Sequence, residues 1–380
     1  MPESIRALVL TAPHQFQIGP VDAPPLAPDQ IRIRPRAVGL CGTDFHIYSG
    51  QANYNYDAAG FPVPLERAPQ VLGHEIEGEV VELGREVRDL RAGERVVMDQ
   101  GWNCHSQRRR PLCEYCASGD SHQCAHYREQ GITGLQGGLA DTLIVPACNA
   151  IAVREPLPPA QGALVEPLAC VLHSSHRMEA VAARFTWGGP NPIRSVLILG
   201  AGPTGLLFLQ YLRRVLGFAG RLLLAEPNPG KRRLAEQWGG EALDPAQPLA
   251  EAVLERTEGQ GVEYLIEAAG HGPLFREIPG LIRKQATILL FGHGHDRAGL
   301  GLLNPIQFKE PWLITGTGAS GGFDADGRPL VYQQALRLLV SGAIQGTPLL
   351  THFYQGLEAV PRAFQQDWRQ PEYIKGIAQL

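Results

Sequence analysis

Long apolar runs, lysines and net charge are all scarce in this 380-residue chain, and each scarcity excludes something. No apolar stretch approaches the ~20 residues that a membrane helix needs, so no membrane partner is expected. The opening "MPESIRALVLTAPHQ" has an apolar patch but no cationic lead and no small-residue cleavage site. It reads as a first β-strand and not as a signal peptide, and a cytoplasmic location is expected. The formal net charge is −4 and the basic residues form no long stripe, so no nucleic-acid footprint is expected. The only lysines are Lys231, Lys284, Lys309 and Lys375, a bias from which no function is read. Charged residues make up 19% and apolar ones 44%, which suits a globular protein, and the length calls for two domains. The seven cysteines are too uneven for a disulfide scaffold. Cys104, Cys113, Cys116 and Cys124 crowd one stretch, while Cys41, Cys148 and Cys170 stand apart. In a long chain without secretory signals, such clustering points to metal more often than to disulfides.

The first 150 residues read as β-rich. "IRALVL", "QIRIRPRAVGL", "IEGEVVELG", "ERVVM" and "LADTLIVPA" are short β-branched runs cut by Gly and Pro, and "EGEVVELG" with "LRAGERVV" reads as part of a small barrel. Beyond residue 160 the texture changes. "PPAQGALVEPLACVLHSSHRMEAV" has helical spacing, and apolar strands at 195–200, 221–226, 262–270, 286–292 and 312–318 then alternate with helical patterns. That alternation predicts a parallel sheet covered on both faces. The domains expected are 1–160, 161–321 and a C-terminal return over 322–380.

"SVLILGAGPTGLLFLQ" closes an apolar strand and opens a helix, the setting that a dinucleotide fingerprint requires. Gly200 allows the tight turn, Gly202 lets backbone approach a pyrophosphate, and Gly205 lets the helix pack on the strand. The helix N-terminus at Pro203 and Thr204 then faces the anion. Glu226 ends the next strand, about 20 residues on, where a carboxylate accepts from the adenosine ribose and repels a 2′-phosphate. That favours NAD; Lys231, Arg232 or Arg233 could instead meet the phosphate of NADP.

"AVGLCGTDFHIYSG" packs Cys41, Thr43, Asp44 and His46 into one loop behind a strand. "VLGHEIEG" adds His74 and Glu75, and "LVEPLAC" adds Glu166. Thiolate, imidazole and carboxylate together suit Zn²⁺ with a fourth position left open for a reactant. With a dinucleotide fold behind them, "GLCGTDFHIY", "LGHEIEGEVVELG", "AGERVV", "VEPLAC" and "LGAGPTG" resemble the medium-chain dehydrogenase/reductase family, in its zinc-dependent polyol and threonine dehydrogenase branch. The resemblance spans essentially the whole chain. It implies an α/β protein, with a GroES-like β-barrel catalytic domain and a Rossmann doubly wound nucleotide domain. It further implies catalytic zinc on Cys41, His74 and Glu166, with Glu75 beside the metal as an alternative ligand and Asp44 orienting His74. Thr43 would hydrogen-bond the alcohol and pass its proton outward through ribose and His46. A homodimer or homotetramer is expected from the family.

In "CHSQRRRPLCEYCASGDSHQC", Cys113, Cys116 and Cys124 match the spacing of the family's structural zinc lobe, but the gap after Cys104 is eight residues where the family has two. Four thiolates can still close a tetrahedral site around the longer loop. His105 or His122 in place of one cysteine is the alternative. Arg108–Arg110 would be a solvated loop or a contact with a second subunit, and Cys148 and Cys170 are left as structural thiols. The family usually lines its substrate cleft between His46 and His74, where Tyr48, Tyr54, Asn55, Tyr56 and Asp57 could bind several hydroxyls. The expected activity is NAD-dependent oxidation of a polyol, sugar or cyclitol. Threonine 3-dehydrogenase-like chemistry and a non-catalytic zinc- or nucleotide-binding role are the alternatives.

Overall fold

The computed structural model describes residues 3–293 and 299–380. The chain divides into two compact units, one of Met1–Ala169 with Gly318–Leu380 and one of Cys170–Thr317. The break after Ala169 lies later than the expected 160. The reason is that the turn Gln161–Leu164 packs on strands of the first unit and carries the start of the following helix with it.

The strands of the first segment are β1 (Glu3–Ala12), β2 (Gln15–Ala23), β3 (Gln30–Leu40), β4 (Gln70–Val71), β5 (Glu75–Leu83), β6 (Arg95–Met98), β7 (Gly101–Trp102), β8 (Arg128–Glu129), β9 (Leu143–Pro146) and β10 (Ala150–Ala152). The second unit contributes β11 (Ser195–Leu199), β12 (Arg221–Ala225), β13 (Glu241–Leu243), β14 (Val262–Glu267), β15 (Ile282–Leu290) and β16 (Trp312–Thr315). The returning tail supplies β17 (Leu350–Gln355) and β18 (Lys375–Gln379).

In the first unit the main sheet runs β10-β6-β5-β3-β18-β17, with β9 also on β3, and β2-β1-β4 form a second sheet. β3 is the hub. Along one edge it pairs antiparallel with β5; along the other, its first residues pair with β9 and its last with β18. Pro35, which cannot donate to a ladder, falls at a register shift against β5. Ile31, Ile33, Val38, Ile76 and Val80 fill the core between the sheets.

In the second unit the six strands are ordered β13-β12-β11-β14-β15-β16, and every pair is parallel. This is the doubly wound order 3-2-1-4-5-6, whose ligand crevice opens outside the carboxyl end of the first strand. β11 is buried along its whole length because helices cover both faces, which explains its uninterrupted apolar sequence. Three-residue β13 lies in no apolar run and was not among the expected strands. No helix among the described residues is long and apolar enough to cross a membrane.

Candidate active site

Three elements of the first unit end at one point. β3 runs into Cys41, which opens helix α1 (Gly42–Tyr48); β5 begins at Glu75, next to His74; and β18 begins at Lys375. The register sets Glu75 opposite Gly39 and Gly376 opposite Leu40, so the three ends coincide. Cys41 Sγ, a ring nitrogen of His74 and a carboxylate oxygen of Glu75 all lie within 4.8 Å of one another. Glu75 is fully buried, its Oε1 ion-paired with the equally buried Lys375 ammonium, while its Oε2 has no partner among the described residues. Gly39 leaves the room for this, since a Cβ there would overlap the Glu75 carboxylate.

Glu166, the third ligand implied by the resemblance, is not among the three residues of that group, in which Glu75 is the carboxylate. Glu166 is engaged by Gln100, whose Nε2 donates to Glu166 Oε1 at 2.8 Å and to Glu129 Oε1 at 3.0 Å. The amide is itself held by the Tyr332 hydroxyl, which donates to its Oε1 at 2.5 Å. Glu166 remains in the electrostatic field of Lys375. Burial opposes charge on that ammonium, but Glu75, Cys41 and Glu166 outweigh it and hold its pKa above the usual lysine value.

Asp44 both caps and positions. Its Oδ2 accepts from the Cys41 N–H at 2.9 Å, its Oδ1 accepts from the Gly73 N–H at 3.2 Å, and Oδ1 lies 3.4 Å from His74 Nδ1. Burial works against a charged His74, yet Asp44 and Cys41 hold its pKa well above the usual histidine value. The negative groups that favour a proton there also attract a metal cation, which would displace it. Asp44, Glu75 and Glu166 with the Cys41 thiol face one lysine and one imidazole. This buried, anion-rich set of soft and hard donors, one carboxylate oxygen without a partner, fits Zn²⁺.

Thr43 Oγ1 lies 3.8 Å from Cys41 Sγ, and His46 follows three residues on, on the same face of α1. His46 Nδ1 is 2.9 Å from Gln51 Oε1, which as an acceptor leaves Nε2 as the basic nitrogen. Of the cleft residues, Tyr54 and Asn55 are half-buried, and the Tyr54 phenol is raised by burial, then by Tyr56 and Cys41. Tyr48 is no cleft residue. Its ring packs on His14, Phe16 and Phe364 in the core. Asp57 closes its own turn through Ala59 and Phe61, and Tyr56 is exposed.

Cys104, Cys113, Cys116 and Cys124 form a second group with all Sγ atoms within 4.8 Å, and neither His105 nor His122 belongs to it. The Sγ separations of 3.7 Å (Cys104–Cys124) and 3.8 Å (Cys113–Cys124) match the ~3.8 Å edge of a tetrahedron with Zn–S of about 2.3 Å. The thiols are all free. Backbone N–H groups of Cys116 and Ala125 hold Cys113 down at about 6, as helix α2 (Glu114–Ser118) starts on it. The long first gap folds as tight turns, with the Arg109 N–H returning to the Cys104 carbonyl at 2.8 Å. Arg108 reaches back to Asp29 (3.0 Å) and Glu86 (2.8 Å), so its side chain is tied to its own unit. His105 packs against Phe323 and His122 against Tyr127, both with tilted rings. Burial pushes the Cys148 thiol up to about 11, which keeps it inert.

In the second unit, Gly200 has φ +97°, and a Cβ at Gly205 would overlap the Gly200 carbonyl. A Cβ at Gly202 would meet nothing, so the space before helix α3 (Pro203–Gln210) is open to a pyrophosphate. Glu226 is buried, its two oxygens taking the N–H groups of Ala201 (2.8 Å) and Asn228 (2.9 Å). Arg232 is engaged by Asp244 at 2.8 Å and by the carbonyls of Glu226 and Pro227. Lys231 is half-buried early in the helix that spans Pro229–Gln237.

Sequence reasoning missed Gly39, Gln100 and Lys375. Lys375 had left a signal, since one of only four lysines stands inside the apolar run "YIKGIA".

Residues 27–155 match the family described as alcohol dehydrogenase GroES-like domain, and residues 203–341 match zinc-binding dehydrogenase. A medium chain reductase/dehydrogenase of an Acremonium species is 31% identical over 78% of this chain and 96% of its own. L-threonine 3-dehydrogenase of Pyrococcus furiosus is 28% identical, covering 96% of both chains. D-arabinitol dehydrogenase 1 of Uromyces fabae is 27% identical over 93% of this chain and 92% of its own. A Sinorhizobium meliloti crystal structure bound to NADP superposes with a TM-score of 0.78 at 27% identity over the full length of both chains. With two thiol-containing donor clusters in one unit and a glycine-rich crevice in the other, the chain belongs to the medium-chain dehydrogenase/reductase family, as a zinc-containing, NAD(P)-dependent dehydrogenase of the polyol and threonine dehydrogenase branch.

Proposed function

We propose that the protein oxidises a secondary alcohol of the polyol, sugar or cyclitol class to its ketone, with NAD taking the hydride. The observation that carries this reading is the convergence of Cys41, His74 and Glu75 beside Thr43. Cys41 and His74, with Glu75 or Glu166 as the carboxylate, would hold the catalytic zinc, which when bound lowers the pKa of a hydroxyl it coordinates, as it lowers that of water to about 7. Thr43 accepts the hydroxyl proton and hands it on towards His46, whose Nε2 is free to take it. Asp44 keeps the His74 ring in place, and Lys375 balances the buried carboxylates. NAD⁺, when bound, would take the hydride, so that one alcohol and one NAD⁺ would give one ketone, one NADH and one proton.

Tyr54 and Asn55 supply hydroxyl-binding groups on the loop after α1, which favours a polyhydroxylated substrate. The buried carboxylate of Glu226 just after β12 and the engagement of Arg232 by Asp244 favour NAD over NADP. A homodimer or homotetramer is supported by edge strand β16, whose Trp312 and Leu313 are 49% and 51% exposed. The second reading, a threonine 3-dehydrogenase, rests on the Pyrococcus relative.

The deciding experiment assays zinc content and follows NAD and NADP reduction over polyols, sugars, cyclitols and L-threonine. Two zinc ions per chain with polyol turnover is the expected result. Turnover only with L-threonine favours the second reading, and bound nucleotide with no turnover at all overturns both.

A further inference from the structure

The ends of β12 and β13 set two carboxylates side by side. The parallel register pairs Ala225 with Leu243, and the Glu226 N–H donates to the Leu243 carbonyl at 3.1 Å, so Glu226 and Asp244 leave the sheet on neighbouring rungs. The two are used differently. Glu226 is buried, and both its oxygens are tied to main-chain N–H groups, that of Ala201 lying in the glycine-rich turn. The Asp244 side chain is 37% exposed and divides its oxygens. Oδ1 accepts from the Ala246 N–H at 3.0 Å and closes its own turn, while Oδ2 lies 2.8 Å from Arg232 Nη2.

Arg232 belongs to the helix over Pro229–Gln237, but its guanidinium folds back onto the end of β12. Nη1 donates to the carbonyls of Glu226 (2.7 Å) and Pro227 (2.8 Å), and Nη2 faces Asp244. In a doubly wound sheet the adenosine ribose belongs at the carboxyl end of this second strand, where a carboxylate takes the 2′-hydroxyl or a nearby arginine takes a 2′-phosphate. The chain thus keeps a phosphate-binding side chain at the end of β12. Two carbonyls anchor it and leave its charge intact, and a carboxylate then cancels that charge. Arg233, the next cation, is exposed. Selectivity is a difference of affinities, and withholding a favourable contact from the wrong ligand creates one.

We propose that Asp244, a positioning residue acting through Arg232, sets the coenzyme preference by withholding the guanidinium from a 2′-phosphate. This rests on the NAD reading above and names the residue that enforces it. Asp244→Asn is the informative substitution. Its side-chain oxygen can still serve the Ala246 N–H, whereas its amide only donates, as the guanidinium does, and so cannot hold Arg232.

The test is calorimetric titration of the zinc-loaded protein with NAD⁺ and with NADP⁺, with no alcohol present, so that coenzyme choice is read independently of the substrate. The wild-type protein is expected to bind NAD⁺ more tightly. Asp244→Asn should lower the Kd for NADP⁺ about tenfold and move that for NAD⁺ less than twofold, and adding Arg232→Gln should erase most of the gain. Structural damage alone would weaken both coenzymes and strengthen neither. Arg232→Gln by itself covers the case in which Asp244→Asn fails to fold. It should leave NADP⁺ binding within twofold, and a tenfold loss would mean that the guanidinium is already engaged and overturn the proposal. An unchanged ratio in Asp244→Asn, or a gain that survives in full without Arg232, overturns it and leaves the NAD reading standing. A wild-type preference for NADP⁺ overturns both.

Discussion

The two donor clusters of the first unit are built in opposite ways. Cys104, Cys113, Cys116 and Cys124 come from one continuous stretch that closes on itself through a short helix and a few turns. Cys41 comes from the end of β3 and His74 with Glu75 from the start of β5; they are supported by Asp44 and share their surroundings with a lysine from the last strand. The first cluster offers four like ligands at tetrahedral spacing and no place for a reactant. The second offers three unlike ligands, a neighbouring hydroxyl and a histidine. The comparison teaches that a closed site needs only local chain geometry, while an open one depends on the whole fold.

The largest effect should come from the open cluster. Cys41→Ser removes a ligand and is expected to lower kcat by roughly 10³-fold or more, from the several kcal/mol a catalytic metal supplies. Zinc content should fall from two to one per chain while the circular dichroism stays native. Equal loss of structure at both sites would erase the proposed distinction.

Cys116→Ser should do the reverse. One zinc is again lost, but the melting temperature falls by at least about 5 °C and the residual activity follows the fraction folded. An unchanged melting temperature would mean that the lobe needs no metal.

Lys375→Met sharpens the comparison, because it strands the buried Glu75 carboxylate. Removing one partner of a buried pair costs about 3–5 kcal/mol, read as a lower denaturation midpoint in the zinc-free protein. Zinc should restore part of that loss by taking the lysine's electrostatic place. A loss that zinc leaves untouched would separate Lys375 from the metal site.

The smallest effect concerns the stretch between β6 and the cysteine lobe. Burial pushes the Asp99 carboxyl up to about 7, with Glu129 and Glu166 adding to it against the Gly101 N–H. The folded state thus binds this proton more tightly than the unfolded chain, whose carboxyl titrates near ~3.9. Stability from this group is complete below about pH 4 and is lost as pH rises through about 7. Asp99→Asn should therefore raise the melting temperature by about 2–4 °C at pH 8 and leave it unchanged at pH 4.

How much of this was legible in the sequence follows the same division. The parallel sheet, the glycine turn and the four-cysteine stretch depend on periodicity and spacing within short windows, and the structure has them where those signals stood. β13 carries too few residues for any period to show. The carboxylate grouped with Cys41 and His74 could not be chosen from spacing, because the Gln100 amide that engages Glu166 and the Lys375 ammonium that pairs with Glu75 carry no motif. Tyr48 was misread because an aromatic on a short amphipathic helix gives no sign of which side packs. Gly39 looked like any strand glycine until the carboxylate across the ladder gave its missing side chain a purpose.

β3 thus anchors donors and counter-ion through main-chain pairing alone: Glu75 is set by its partner at Gly39, and Lys375 by the neighbouring rung at Leu40. Surface segments such as 51–69 join that ladder nowhere. Substrate preference can therefore drift by rewriting them while the reactive centre keeps its alignment, so one scaffold can serve many alcohols.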